Sequence, residues 1–152
     1  MNILFIEDDD DKREKIVSAV TESVPNVVID IAKSFNSALR KLVNKSKYDV
    51  ILLDMSMPNY DIGIDEPSGG TPESYAGKEI LMQMKLRGII IPTIIVTMFE
   101  SYGEGNNKQS AKELHNDLKD NFPPIYAGMV YYNSAQEGWR GQLTKKLQEI
   151  VK

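Results

Sequence analysis

The stretch Tyr48-Asp49-Val50-Ile51-Leu52-Leu53-Asp54-Met55-Ser56-Met57-Pro58 decides how the rest of the chain is read. Val50 to Leu53 is a continuous apolar run with the length and β-branched content of a strand buried on both faces. Asp54 abuts it directly, and Pro58 forbids simple continuation of a regular element. A charge at the end of a buried strand is costly unless it is solvated, paired or bound to a cation. Taken alone, these features describe an ordinary turn-opening aspartate as well as they describe a functional site. The stretches on either side separate the two.

Upstream, Ile3-Leu4-Phe5-Ile6 reads as strand one and breaks abruptly into Glu7-Asp8-Asp9-Asp10-Asp11. Such acids also suit the N-terminus of a following helix, where unpaired amides meet negative charge. Ile16, Val20 and Val24 recur every four residues and give helix one its apolar stripe. Pro25-Asn26 makes a turn and residues 27–32 form strand two. Ser34 is the expected N-cap of helix two, whose inward face is Phe35, Ala38, Leu39 and Leu42.

Downstream, residues 59–74 are rich in Gly, Pro, Asp and Glu and show no periodicity. Loops of that length inside a compact domain are uncommon and often functional. Thr71-Pro72-Glu73 carries the cap-then-proline signal for the start of helix three, with Ile80, Leu81 and Met84 inward and Gly88 at its end. Residues 89–96 form strand four, which stops at Thr97, and its ladder is expected to begin after Pro92. A polar loop at 100–109 leads to Ser110-Ala111-Lys112-Glu113, a capping-box spacing, and a fourth helix with Leu114 and Leu118 inward. Pro123-Pro124 ends that helix. Residues 125–132 are strand five, and Trp139, Leu143, Leu147 and Ile150 mark one face of the last helix.

Five strands alternating with five helices predict an α/β fold, a doubly wound (βα)5 parallel sheet in a three-layer α/β/α arrangement. The 152 residues, without repeat or linker, are expected to form one domain over 1–152, with 59–74 as an inserted loop and no output domain after helix five. The absence of cysteine excludes disulfides, thiol nucleophiles and cysteine–zinc sites. A net charge of −4 without a basic stripe argues against a nucleic-acid surface. The apolar stretch 89–99 is too short to span a bilayer, and the N-terminus lacks a basic leader region, so a cytoplasmic protein is expected.

In doubly wound sheets, ligands sit at the carboxyl ends of the strands where strand order reverses. With the flavodoxin-like order 2-1-3-4-5, strands one, three and four are neighbours, and their ends carry Glu7-Asp8, Asp54 and Thr97. Converging carboxylates repel unless a cation is shared among them. Hard oxygen ligands with room for water suit Mg²⁺ or Mn²⁺ better than zinc.

With these residues in place, the chain resembles a receiver domain of the two-component response-regulator family. Ile3-Leu4-Phe5-Ile6-Glu7-Asp8-Asp9 is similar to the first-strand motif with its paired acids. Asp49-Val50-Ile51-Leu52-Leu53-Asp54-Met55-Ser56-Met57-Pro58 is similar to the phospho-acceptor strand, and Ile91-Pro92-Thr93-Ile94-Ile95-Val96-Thr97 to the fourth strand with its hydroxyl residue. The resemblance implies that Asp54 accepts a phosphoryl group from a histidine kinase or phosphotransfer protein. It implies Mg²⁺ held by Glu7, Asp8, Asp54 and the backbone carbonyl of Ser56, with Thr97 contacting a phosphoryl oxygen. Asp9 would replace Asp8 if strand one slipped by one residue. Output would then be contact with a downstream protein, with no membrane or nucleic acid involved, and the resemblance leaves room for a homodimer.

Three departures from the family stand out, the third being the long loop after Thr97 that carries Phe99 and Tyr102. The family ends strand five with a lysine and a proline; alignment on Trp139 and Leu143 puts Tyr132 and Asn133 there, and Met129 at the aromatic position three residues earlier. Neither Tyr132 nor Asn133 supplies an ammonium, although both can donate hydrogen bonds. The second departure is the 59–74 insertion, in which Asp61, Asp65 and Glu66 are read as solvated in preference to metal-directed, and after which the family's glycine turn falls at Tyr75-Ala76-Gly77. Phe99 and Tyr102 are read as packing, and His115 as an exposed helix residue. Two rivals to the phospho-receiver are a phosphorylation-independent interaction module on the same fold and a Mg²⁺-dependent phosphohydrolase with an aspartate nucleophile. The second lacks its usual acid–base Asp, because Ser56 occupies that position.

Overall fold

The computed structural model describes residues 1–44, 47–55, 76–98, 101–102 and 109–151. Ser56, the 59–74 insertion with Asp61, Asp65 and Glu66, the Thr71-Pro72-Glu73 cap signal and Phe99 lie outside those residues. The main elements are β1 (Asn2–Ile6), α1 (Asp10–Ser23), β2 (Val28–Ala32), α2 (Phe35–Asn44), β3 (Val50–Leu53), α3 (Ala76–Arg87), β4 (Thr93–Thr97), α4 (Ala111–Asn121), β5 (Tyr126–Tyr131) and α5 (Gly138–Val151). The five strands form one sheet in the order β2-β1-β3-β4-β5, all parallel. This is the flavodoxin-like, doubly wound arrangement that the alternation predicts.

Alternation along the central strands divides the core in two. Leu4, Ile6, Ile51, Leu53 and Ile95 face α2, α3 and α4, where Leu42, Ile80, Leu81, Met84, Leu114 and Leu118 meet them. Ile3, Phe5, Val50, Leu52, Ile94 and Val96 face α1 and α5 and pack on Ile16, Val20, Trp139, Leu143 and Leu147. Each large apolar side chain buried this way contributes ~1.5–3 kcal/mol, so both layers are needed to hold the strand ends in place. Trp139 anchors the first turn of α5, as its phase in the sequence predicts.

Local signals account for most boundaries. Ser34 Oγ accepts from Ser37 N at 3.1 Å and starts α2. Ser110 Oγ accepts from Glu113 N at 3.1 Å and starts α4. Asn26 takes φ 59° in the turn before β2, a conformation that asparagine tolerates better than most residues. The β4 ladder begins after Pro92, whose carbonyl accepts from Ile51 N.

Two expectations change. Within the stretch read as a polar loop at 100–109, Ser101–Tyr102 and Gln109–Ser110 pair as a short antiparallel ribbon, too brief to show alternation in sequence. His115 is not simply exposed: its Nδ1 lies 2.5 Å from Tyr126 Oη and the two rings meet edge to face. Neighbouring polar residues masked that contact, because the partner comes from β5, not from the helix.

Candidate functional site

The parallel register brings three strand ends to one place. Glu7 follows β1 immediately, and its amide continues the ladder to Ala32 O at 2.9 Å. Asp54 follows β3, its amide donating to Ile6 O at 3.2 Å. The Asp54 side chain turns back so that Oδ1 accepts from Met55 N at 2.9 Å. Glu7 and Asp54 are buried, at 1% and 5% exposure, and Asp8 sits more openly beside them. One oxygen from each of Glu7, Asp8 and Asp54 falls within 4.8 Å of the others.

Asp9 does different work. It is the N-cap of α1, its Oδ1 accepting from Lys12 N at 3.2 Å. Its own amide donates to Glu7 Oε2 at 3.2 Å. The acidic run thus divides into site acids, Glu7 and Asp8, and a capping acid, Asp9.

A fourth charged residue enters the cluster that the motif reading missed. Lys12, in the first turn of α1, is 1% exposed. Its Nζ lies 2.5 Å from Glu7 Oε1, 3.4 Å from Asp54 Oδ1, and donates to Val96 O at 2.8 Å. An ammonium buried this deeply is tolerated only because oxygens surround it. The sequence did carry a signal: Lys12 stands four residues before Ile16 and eight before Val20, on the apolar stripe of α1. A lysine in register with a buried stripe has to find a partner inside.

Burial dominates the electrostatics. It pushes the Glu7 carboxyl up to about 8, reinforced by the Asp54 charge and opposed by Lys12 and by the Asp9 amide. Burial raises Asp54 as well, against the pull of Lys12 and the Met55 amide, and raises Asp8. With all three acids ionised, one ammonium leaves two negative charges on the cluster. Among the described residues Glu7 Oε1, though in contact with Lys12, accepts no hydrogen bond of good geometry. A divalent cation fits this donor set: it would neutralise the charge that Lys12 leaves uncompensated.

Thr97 closes β4 and is fully buried. Ile95 is the register partner of Leu53, so Thr97 stands at the same sheet end as Asp54. Its carbonyl accepts from Tyr132 N at 2.7 Å, tying β4 to the residue after β5. Tyr132 is buried against Trp139, with ring centroids 5.0 Å apart. The expectation that its hydroxyl offers a hydrogen bond is not met among the described residues, where the oxygen is buried and unpartnered. The Tyr132 ring instead lies under the ammonium of Lys12, 6.0 Å from Nζ to centroid. Asn133 is exposed and turns its Oδ1 to Ala135 N. Met129 is half-buried against the α2–α3–α4 side of the core.

On the other flank, the N-terminus of α3 presses on the acceptor loop. Gly77 N donates to Met55 O at 2.9 Å. A Cβ at Gly77 would lie 2.6 Å from Asp54 O and 2.9 Å from Met55 Cα, so only glycine fits.

Comparison with known proteins bears on this arrangement. The Detocs response regulatory protein DtcB of Enterobacter cloacae is 33% identical over 150 residues, which cover 99% of this chain and 100% of that protein. The chain belongs to the response-regulator receiver family. The receiver also matches protein y4jR of Sinorhizobium fredii, 31% identical over 142 residues and 92% of each chain. Among solved structures, a response regulator receiver protein from Pseudoalteromonas atlantica superposes with a TM-score of 0.65 at 14% identity, covering 99% of this chain and 97% of that one. RcsB of Salmonella enterica serovar Typhimurium, solved on promoter DNA with a beryllofluoride phosphomimetic, gives 0.66 at 17%, covering 100% and 99%. At those identities the likeness is one of fold. No family model matches the chain. Receiver domains are generally signalling modules without enzymatic turnover of their own, and among the described residues no helix is long and apolar enough to cross a membrane.

Proposed function

We propose that this receiver is a phospho-acceptor that takes a phosphoryl group on Asp54 from a phosphohistidine of a kinase or phosphotransfer protein, and signals through protein contact in the cytoplasm. The observation that carries the reading is the convergence of Glu7, Asp8 and Asp54 within 4.8 Å at one sheet end. Carboxylates are weak nucleophiles, so charge neutralisation and positioning must supply most of the acceleration.

Glu7, Asp8 and Asp54 would hold Mg²⁺, with the backbone carbonyl of Ser56 as a further ligand. Bound there, the cation would neutralise charge on the incoming phosphoryl oxygens. The chain's own contribution is to position the acceptor. Met55 N–H anchors Asp54 through Oδ1, which leaves Oδ2 as the attacking oxygen. An O–P bond forms as the donor's P–N bond breaks, and the bonding pair leaves with the imidazole. Thr97, at the adjoining strand end, supplies its hydroxyl to a phosphoryl oxygen. Phosphorylation adds charge and acceptor oxygens at the junction of β3, β4 and α3, beside the α3 N-terminus that Gly77 seats on Met55 O.

Acetyl phosphate with Mg²⁺ should therefore add one phosphoryl group to the wild-type chain and none to Asp54→Asn. If partner binding survives Asp54→Asn unchanged, the interaction-module reading replaces this one.

A further inference from the structure

The receiver has no ammonium at the end of β5, yet a buried ammonium reaches the acceptor carboxylate from elsewhere. We propose that Lys12 is the phosphoryl-contacting cation of this protein, delivered from the first turn of α1 instead of the end of β5. The inference rests on the phospho-acceptor reading of Asp54 given above.

Three observations carry it. The first is placement. Lys12 Nζ touches Glu7 Oε1, Val96 O and Asp54 Oδ1, the last at 3.4 Å. A lysine kept only to neutralise Glu7 needs a single carboxylate. The short contacts to Glu7 and Val96 fix the head group, and the longer one to Asp54 is the contact that can be exchanged for a phosphoryl oxygen. Because ammonium donors carry full charge, such an exchange favours the state richest in negative oxygen.

The second is the residue at the vacated position. Tyr132 cannot reach the acids as a cation. It packs on Trp139, presents its ring to Lys12 at 6.0 Å, and has no hydroxyl partner among the described residues. Tyr132 thus fills space on the α1–α5 side of the sheet, with its ring near the Lys12 ammonium.

The third is rigidity. Asp9 caps α1 through the backbone amide of Lys12 itself, and Ile16, one turn on, is fully buried. The ammonium is set by the helix start, not by a mobile loop, which is what preorganised stabilisation of a transferring group requires.

In the transfer step, Lys12 neither gives nor takes a proton. It hydrogen-bonds a phosphoryl oxygen while the Asp54 O–P bond forms and the donor's bond to phosphorus breaks, with the electron pair departing on the donor.

The test compares wild type and Lys12→Met, which keeps the stem and removes the charge. Phosphorylation by acetyl phosphate should fall on the order of 10²-fold, the usual scale for losing one such donor. Mg²⁺ should bind the variant at least as tightly, because a positive charge has left the cluster. A merely structural lysine would lower metal binding and phosphorylation together. A folded Lys12→Met phosphorylated at the wild-type rate overturns the proposal and leaves Asp54 as acceptor. A wild-type chain that takes no phosphoryl group removes both. Should Lys12→Met not fold, beryllofluoride added to Mg²⁺-loaded wild type decides: a through-space NMR contact between the Lys12 ammonium protons and fluorine supports the role, and its absence overturns it.

Discussion

Gly77 and Asp54 are held so closely that a single methyl group would not fit between them: a Cβ on Gly77 would stand 2.6 Å from the Asp54 carbonyl oxygen. The neighbour is backbone, with no rotamer to give way. Gly77→Ala must move either the start of α3 or the acceptor loop. We expect a loss of about 1–3 kcal/mol in unfolding free energy, the range for an overpacked site. Asp54 phosphorylation should slow more than at a matched control such as Gly138→Ala, where a Cβ meets open space.

The acidic run makes separable contributions. Asp9→Ala removes the N-cap of α1 and should cost about 1 kcal/mol of stability, while leaving Mg²⁺ affinity close to wild type. Asp8→Ala should reverse the pattern, sparing stability and weakening Mg²⁺ binding in a calorimetric titration. Equal loss of Mg²⁺ affinity in both variants would contradict the division of labour.

Without a divalent cation, stability should fall as pH rises. The folded state raises Glu7 from 4.5 to about 8, so between those values the folded protein keeps a proton that the unfolded chain has released. Unfolding free energy then declines with increasing pH across that window. Denaturant midpoints in chelator should be higher at pH 5.5 than at pH 8, two conditions chosen inside roughly that window. Glu7→Gln should flatten the trend, and Mg²⁺, which favours the ionised acids, should stabilise most at the alkaline end. A midpoint that rises with pH in chelator would contradict this.

On the α4–β5 side, Tyr126 donates or accepts the hydrogen bond that seats His115 Nδ1. Tyr126→Phe should cost about 1 kcal/mol, a typical net value for one such bond, without changing phosphorylation of Asp54. Chemical denaturation and the acetyl phosphate assay together check both halves.

The fold was legible because the central strands are short apolar runs that end at charges or at Thr97, with helix-period segments between them. The site acids were legible for the same reason, since Glu7 and Asp54 each follow a run of four apolar residues. Lys12 was not read, although it lies on the α1 stripe with Ile16 and Val20, because it sits in a string of charges that also looks like a solvated helix start. Its partners come from β1, β3 and β4, and only the assembled sheet brings them together. Tyr132 follows the last strand directly, as its spacing from Trp139 predicts, but its burial against Trp139 depends on the α5 docking angle, which spacing alone does not give. Asp8 is favoured over Asp9 in sequence because it follows the apolar run more closely, and the cap geometry separates the two.

Mass spectrometry of the intact chain after acetyl phosphate and Mg²⁺ tests the central claim most directly. The account predicts one added phosphoryl group, mapped to Asp54, absent in Asp54→Asn and suppressed by chelating the metal. No added mass on a folded wild-type chain, or the same added mass on Asp54→Asn, would contradict it.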